Sequence, residues 1–321
     1  MDKSILLATL VLIAATERVP ALRFERLPLL RPFFTTDLVY FITGATALGL
    51  LLRAQAVGWA DLAGLGAFVF PVLPFGVVVV LATVLHDLGG YASHLLLHRI
   101  DVLWKFHKVH HSSRRLDWLA AFRAHFVEHA LRHLLSPVAL ILLGVPLPAV
   151  AAAAAIYGAW AALGHANLRV DLAFLEPVLV TPRLHRLHHV PGTSAANFGT
   201  IFTFWDRLHR TLVTDANAPL TPIGVPGEED TYPQQWLPQL IQPLRPVLPS
   251  LPASMSERSA ATQVRGRGGP VAAHALAERG AAFTDCASHP LERSPRPAPR
   301  ARGPVHSPPY TRSMIVAIPM P

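Results

Sequence analysis

The sequence predicts an all-α fold: a membrane helical bundle that crosses the bilayer several times and carries a histidine-rich helical cap with a dimetal site. Three observations predict it. Hydrophobic residues make up 51% of the 321 residues and charged residues only 15%, whereas a soluble domain carries about 25% charge. Long stretches of the chain have no charged residue, and thirteen of the 17 histidines lie between His86 and His189.

Three apolar runs are long enough to cross a bilayer, which takes roughly twenty apolar residues. They are 62–85 and 134–164, which carry no charge, and 34–52, which is interrupted only by Asp37. The longest run contains Gly144, Pro146 and Pro148 and therefore predicts a helical hairpin, because a helix breaks at such residues. A shorter run over 5–16 fits a signal-peptide core, an anchor or an interfacial helix, and we favour a retained membrane helix.

The hairpin has a consequence for topology, because it returns the chain to the side of the membrane that it left. The histidines of 86–133 and 165–189 are therefore expected on one side. Seven Lys and Arg residues lie between residues 99 and 132, and short loops rich in such residues stay in the cytoplasm. The sequence thus predicts an integral, multi-pass membrane protein with its histidine clusters on the cytoplasmic side.

Composition divides the chain into four parts: N-terminal membrane helices in 1–60, a histidine-rich domain in 61–215, a Pro-rich extension in 216–250 and a tail in 251–321. The tail has nine Arg, four acidic residues and eleven Pro, which predicts disorder. Its basic charge is not gathered on a folded face, so no nucleic-acid partner is expected. The single Cys286 excludes a disulfide framework, a cysteine-ligated zinc site and an iron–sulfur cluster.

Three histidine clusters have the spacing of metal ligands on a helix. They are His94 and His98; His107, His110 and His111; and His185, His188 and His189. Residues at i, i+3 and i+4 share a helix face, so each cluster can present imidazoles to one ion of iron, zinc, copper or nickel. Eight such histidines exceed the needs of one tetrahedral zinc ion, and the number therefore predicts two metals.

Two further histidines stand at the exits of apolar segments, His165 after the hairpin and His125 in the stretch RAHFVEH. We add both to the predicted ligands. His86, His129, His133 and His209 match no repeated pattern, and we assign them no metal.

Ligating histidines usually donate their second N–H to a carboxylate or amide. Asp87, Asp117, Glu128, Asn167 and Asp206 lie near the clusters in the sequence. Asp87, Tyr91, His94 and His98 are spaced four, three and four residues apart and therefore share one stripe of a helix. We predict a set of supporting residues around the ligands. The set is Asp87, Tyr91, Asp117 and Asn167.

With these elements in place, the sequence resembles the sterol desaturase and fatty acid hydroxylase superfamily of integral-membrane di-iron enzymes. The similar elements are DLGGYASHLLLH (87–98), LWKFHKVHHSS (103–113), FRAHFVEH, GHANLRV (164–170), TPRLHRLHHV (181–190) and NFGTIFTFWDRLHRTL (197–212). The resemblance covers about residues 60 to 215 and identifies 61–215 as a fatty acid hydroxylase-like catalytic domain.

The sequence departs from the family pattern at a few positions. Leu95 follows His94 where an Arg is common in the family, Phe126 replaces the Pro after His125, and His209 with Arg210 replaces a Phe-Gly pair. Some members carry a further histidine where Arg169 stands here, and we therefore expect His125 to complete the ligand set.

The resemblance implies oxidation of an unactivated C–H bond of a lipid, such as a sterol or fatty acyl chain, by two iron ions with O₂ as co-substrate. The product would be an alcohol, or an alkene if a second hydrogen is removed. The sequence contains no cytochrome-like segment and no Gly-rich dinucleotide fingerprint. We therefore expect electrons from a separate reductase or small electron carrier.

Two other functions remain open at this point. A membrane zinc hydrolase would use fewer histidines and a Glu base, as in H-E-x-x-H, a motif that the sequence lacks. A non-catalytic metal-binding or transport protein would place its ionisable ligands inside the spans, whereas these histidines lie just beyond the apolar runs.

Overall fold

The computed structural model describes residues 3–28, 30–44, 46, 70–215 and 217–245. These residues belong to one compact unit, Met1–Leu248. They form helices and turns without any β-strand in the described ranges, and two isolated β-bridges join Arg23 to Leu168 and Leu179 to Phe202. The all-α prediction is confirmed. The predicted tail 251–321 and the apolar residues 47–69 lie outside the described residues.

The described residues contain ten helices, numbered here in chain order. They are α1 (Lys3–Thr16), α2 (34–44), α3 (Phe75–Arg99), α4 (Asp101–His111), α5 (Phe126–His133), α6 (Ala139–Leu142), α7 (Leu147–His165), α8 (Pro182–His188), α9 (Phe204–Leu208) and α10 (Trp236–Ile241). Short 3₁₀ segments lie at Phe70–Val72, Trp118–Phe122, Ala173–Leu175 and Gln242–Leu244.

Among the described residues, α3 and α7 are long and apolar enough to cross a membrane, and α1 is a shorter apolar helix. The run 62–85 differs from its prediction, because α3 begins only at Phe75, after Pro74. Proline restricts the residue before it to extended conformations, which favours a helix start at this point. A multi-pass topology stays a prediction.

The longest apolar run is interrupted as its sequence predicts. Pro137 lies in a π-helical turn, Leu134–Val138, which α6 continues. Pro lacks the N–H that a regular α-helix needs, and a wider turn accommodates this loss. Gly144 then adopts a φ of 78°, and α7 starts after Pro146. The chain therefore turns between α6 and α7, at the predicted break.

Two apolar clusters hold the long helices together. In one, Val78 and Ala82 of α3 pack with Ile141 of α6 and with Ala149 and Ala153 of α7. In the other, Leu10 and Ile13 of α1 pack against Ala162 of α7. Small residues on α7 let its neighbours approach closely, which favours helix association in an apolar environment.

Gly90 of α3 lies directly against α7. A methyl group on its Cα would collide with the hydroxyl of Tyr157 on α7. We expect Gly90→Ala to lower the free energy of unfolding by about 1–3 kcal/mol, the usual cost of overpacking. Thermal unfolding of the purified protein measures this effect. Gly76→Ala in the same helix is the matched control, because nothing lies within 4 Å of its new methyl group, and an equal loss in both variants would contradict the packing argument.

Candidate metal centre

Nine of the ten predicted ligand histidines converge at one end of the helices. α3 contributes His94 and His98, α4 contributes three, the end of α7 contributes His165, and α8 with its C-cap contributes the last three. The segments on either side of the hairpin therefore meet at one place, as the predicted topology requires. Eight of the nine are buried, and His98 is partly buried.

The nine histidines form two groups. The first group is His94, His98, His107, His111 and His188, and the second group is His110, His165, His185 and His189. Within each group, one ring nitrogen from every member lies within 4.8 Å of all the others. Each arrangement can therefore surround one metal ion, and the two together can hold a dimetal centre.

Backbone carbonyls fix the orientation of four of these rings. The Nδ1 atoms of His94 and His188 lie 2.8 and 2.6 Å from the carbonyl oxygens of Phe198 and Ala196. The Nδ1 atoms of His110 and His165 lie 3.0 and 2.8 Å from those of Arg123 and Ala161. Because a carbonyl only accepts, each Nδ1 must carry the proton and each Nε2 keeps a free lone pair.

These lone pairs fit a cation. The Nε2 atoms of His110 and His165 face each other at 3.2 Å, although both are acceptors and cannot bond to each other. In the first group, the buried Nε2 atoms of His94, His107 and His188 have no hydrogen-bond partner within the described part of the chain. Buried acceptors without donors are rare in native proteins, and a bound metal ion would satisfy all of them.

Burial keeps the imidazoles outside the candidate spans in the form that binds metal. It lowers the pKa of His188 to about 3, and it lowers the pKa values of His110, His111, His185 and His189 well below the usual 6.5. These rings are therefore neutral at pH 7, and no proton competes with a metal ion for the nitrogen lone pair.

Glu128 of α5 is the carboxylate beside the centre. Its Oε2 lies 2.9 Å from Nδ1 of His107, and its Oε1 accepts a hydrogen bond of 3.0 Å from Arg132. Burial raises the pKa of Glu128, but the neighbouring His107 and Arg132 outweigh burial and bring the pKa to about 2. The side chain is therefore an anion at neutral pH and holds the His107 ring in place.

Glu128→Gln keeps the shape of this side chain and removes its charge. We expect the affinity for metal to fall by about 10–100-fold, as it does when partners of ligating histidines are changed. Competition with a chelator during metal titration measures the loss. Glu25→Gln, which removes the charge of a surface ion pair with Arg115, is the control, and a similar loss in both variants would contradict the role of Glu128.

Asp87 and Tyr91 support the centre indirectly, through the segment that follows α8. Asp87 accepts hydrogen bonds from the backbone N–H groups of Ile201 and Phe202, at 2.9 and 3.1 Å, and the hydroxyl of Tyr91 lies 3.2 Å from that of Thr211. Asp206 holds the same segment by accepting from the N–H groups of Phe198 and Gly199. This segment supplies the carbonyls that orient His94 and His188.

Asp117 and Asn167 also bond to groups other than the histidines. Asp117 accepts two hydrogen bonds of 2.6 Å from Arg31. Asn167 pairs with the backbone of Glu25 through both atoms of its amide. The prediction that they receive a histidine N–H is not what the structure shows, because both tie the N-terminal segment to the core.

His125 lies outside both groups. Its Nδ1 accepts a hydrogen bond of 3.1 Å from the N–H of Val127 at the start of α5, and its Nε2 lies 3.3 Å from the carbonyl oxygen of Leu240. Both ring nitrogens are therefore engaged by the backbone, and we omit His125 from the ligand set proposed below.

The Pro-rich extension packs against the C-terminal end of α4, the helix that carries His107, His110 and His111. Gln239 of α10 donates to the hydroxyl of Ser112, at 2.8 Å, and Gln234 donates to its carbonyl oxygen, also at 2.8 Å. Ser112 directly follows His111. Nothing in the composition of 216–250 pointed to these contacts, since isolated glutamines in Pro-rich sequence carry no periodic signal.

A cavity of about 540 Å³ opens beside the histidines. His94 of the first group and three members of the second group border it, and most of the remaining wall is apolar, with Leu10, Phe41, Phe122 and Ala155 among its residues. The cavity is large enough for an alkyl chain or a ring system, and histidines of both groups line it.

The described residues define a class of protein: helical, with two helices long and apolar enough to cross a membrane and two groups of largely buried histidines that could each hold a metal ion. A sequence model of the fatty acid hydroxylase family matches residues 79–211. This match confirms the resemblance to the sterol desaturase and fatty acid hydroxylase superfamily, and residues 79–211 carry its sequence signature.

Curated proteins similar to this chain include lipid hydroxylases and monooxygenases. Ornithine lipid hydroxylase OlsE of Rhizobium tropici is 34% identical over 172 residues, which cover 53% of this chain and 51% of that protein. Alkylglycerol monooxygenase of Danio rerio is 33% identical over 138 residues, 41% of this chain and 29% of that protein. The matched part thus spans about half or less of these relatives. No solved structure matches the chain significantly.

Proposed function

We propose that this chain is a membrane di-iron oxygenase that hydroxylates, or desaturates, a lipid such as a sterol or fatty acyl chain with O₂ and external electrons. The convergence of nine histidines, four of which line an apolar cavity, carries the proposal. The names of the similar proteins support it, because both are enzymes that oxidise lipids.

In this proposal the first group of histidines holds one iron and the second group holds the other. The two irons supply the oxidising power that the cleavage of an unactivated C–H bond requires and that no side chain has. The apolar wall binds and orients the lipid chain and excludes water. Glu128 and the carbonyls of Ala196 and Phe198 hold the ligand rings so that their free nitrogens stay directed at the centre.

The cytoplasmic location of the histidines and the separate electron donor belong to the same proposal. The basic residues between 99 and 132 support the location. A cysteine placed at Lys105 in a Cys286→Ala background tests it: a membrane-impermeant thiol reagent should label this cysteine only from the cytoplasmic side, and labelling from outside intact cells would contradict it.

Metal analysis combined with lipid analysis tests the function. We expect two irons per purified chain, and we expect cells that make the protein to contain a lipid that has gained one oxygen or lost two hydrogens. One zinc per chain without an oxidised lipid would indicate a hydrolase. Exchangeable metal without an oxidised lipid would indicate a metal-binding or transport protein. Either result would overturn the proposal.

A further inference from the structure

The cavity beside the histidine groups has a belt of polar side chains away from those groups. His86 precedes His94 by eight residues on α3, and Tyr157 precedes His165 by eight on α7, so their Cα atoms lie roughly 12 Å farther along the helices. Their rings lie 4.8 Å apart. His129 and His133 of α5, with stacked rings 5.9 Å apart, line the same cavity.

Two imidazole atoms in this belt are buried without partners. Nδ1 of His86 and Nε2 of His129 make no hydrogen bond to any residue in the described ranges. They come from different helices and belong to neither metal group. Because buried polar atoms are normally satisfied, these atoms indicate that a polar group of a bound molecule completes the belt.

The charge of the cavity restricts what that group is. Glu128 and Arg132 are the charged side chains among the described residues that line it, and they pair with each other at 3.0 Å. Arg132 also donates a hydrogen bond of 3.3 Å to the hydroxyl of Tyr157, which lies 2.8 Å from the hydroxyl of Thr200. Burial lowers the pKa of His133 to about 4 and also lowers that of His129, so both rings are neutral at pH 7.

A free carboxylate or phosphate would therefore enter without a cation to neutralise it, and burying such an unpaired charge is costly. An uncharged oxygen-containing group has no such cost, and it can accept from or donate to an imidazole or a phenol.

We propose that His86, His129, His133 and Tyr157 form a polar subsite that binds the uncharged polar group of a lipid, a hydroxyl, ether, ester or amide, while its alkyl chain reaches the histidine groups. That the bound lipid is a substrate rests on the proposed function. The inference adds the chemical class of that substrate. The subsite would select lipids that are uncharged at this group and would discriminate against free fatty acids.

Two lipids of the same chain length provide the test: hexadecan-1-ol and hexadecanoate, bound to the full-length, metal-loaded protein in nanodiscs at pH 7.5. We expect the alcohol to bind at least roughly tenfold more tightly than the carboxylate, the effect of one well-made hydrogen bond and one avoided buried charge. In His86→Leu combined with Tyr157→Phe, this preference should fall by roughly tenfold. Equal binding of the two lipids by the wild type would overturn the inference.

Matched variants separate the subsite from general effects of substitution. His209→Leu changes an exposed histidine, and Tyr232→Phe removes a buried hydroxyl that has no partner in the described part of the chain; neither residue lines the cavity. Both should keep the wild-type preference, and a loss equal to that of the double variant would contradict the subsite.

One further variant should bind hexadecanoate more tightly, a gain that a misfolded protein would not show. Glu128→Gln leaves Arg132 without its anion, so the cavity gains a positive charge and the preference should shift toward hexadecanoate. Absence of this shift in a protein that still binds hexadecan-1-ol would count against the inference. Failure of the proposed function would give a different result from failure of the subsite. The protein would still bind the alcohol more tightly than the carboxylate, but no oxidised lipid would form.

Discussion

His188→Ala is expected to abolish lipid oxidation and to reduce the iron bound by the first group. The Nε2 atom of His188 is buried without a partner among the described residues, and its Nδ1 lies 2.6 Å from the carbonyl oxygen of Ala196. Removing the ring deletes a ligand, and turnover should fall by more than roughly a hundredfold, since even the outer partners of ligating histidines contribute 10–100-fold. Iron content and turnover in isolated membranes measure both effects. His107→Ala should behave in the same way.

Two histidine controls make this result specific. His209→Ala removes an exposed ring at the end of α9, and it should leave iron content and turnover unchanged. His125→Ala removes a ring that caps α5, so it should lower stability but keep the iron. Full turnover in His188→Ala, with normal membrane insertion in all variants, would refute the proposed ligand set, and loss of iron in His125→Ala would return His125 to it.

Sequence spacing predicted which histidines come together but not how they divide. Residues three and four apart on a helix share a face, so the clusters could be read directly. His110 and His111 are adjacent, however, and adjacent positions differ by about 100° around a helix. His110 belongs to the second group and His111 to the first, and His107, three residues before His110, also belongs to the first, so pairs three apart are divided whereas pairs four apart stay together. The division depends on contacts between rings of different helices: His111 meets His98 of α3 and His188 of α8, and His110 meets His165 of α7.

The supporting residues were harder to predict, because their partners come from distant parts of the chain. Asp87 shares the helical stripe of His94 but precedes it by seven residues, roughly 10 Å along the axis, which is beyond hydrogen-bond reach. It therefore bonds to the segment after α8. Most of the atoms that orient the rings are backbone carbonyl oxygens, such as those of Phe198 and Ala196. Because every residue has a carbonyl group, the sequence does not show which of them accept from a histidine.

Asp37, the one charge in the apolar run 34–52, lies at the centre of a buried ionic cluster. It accepts hydrogen bonds from both Arg31 and Arg123, and Asp117 binds Arg31 through two further bonds. All four side chains are buried, and their two positive and two negative charges balance. Arg123 also donates to Ser112, at 3.2 Å, and so links the cluster to the C-terminal end of α4.

Asp37→Ala should therefore be among the most destabilising substitutions in the described part of the chain. Removal of one partner from a buried ionic cluster leaves an uncompensated charge and costs about 3–5 kcal/mol, and we expect the midpoint of thermal unfolding to fall by roughly 10 °C. Asp230→Ala is the matched control, because that carboxylate is 95% exposed and lies 3.8 Å from Arg114, and solvent screens such a pair. If both variants unfold at the wild-type temperature, the cluster does not hold the N-terminal segment to the histidine-bearing helices. If only Asp37→Ala loses stability, this variant should also release its iron at a lower temperature than the control. The reason is that Asp37 holds Arg123 in place, and Arg123 donates to Ser112, the residue next to His111.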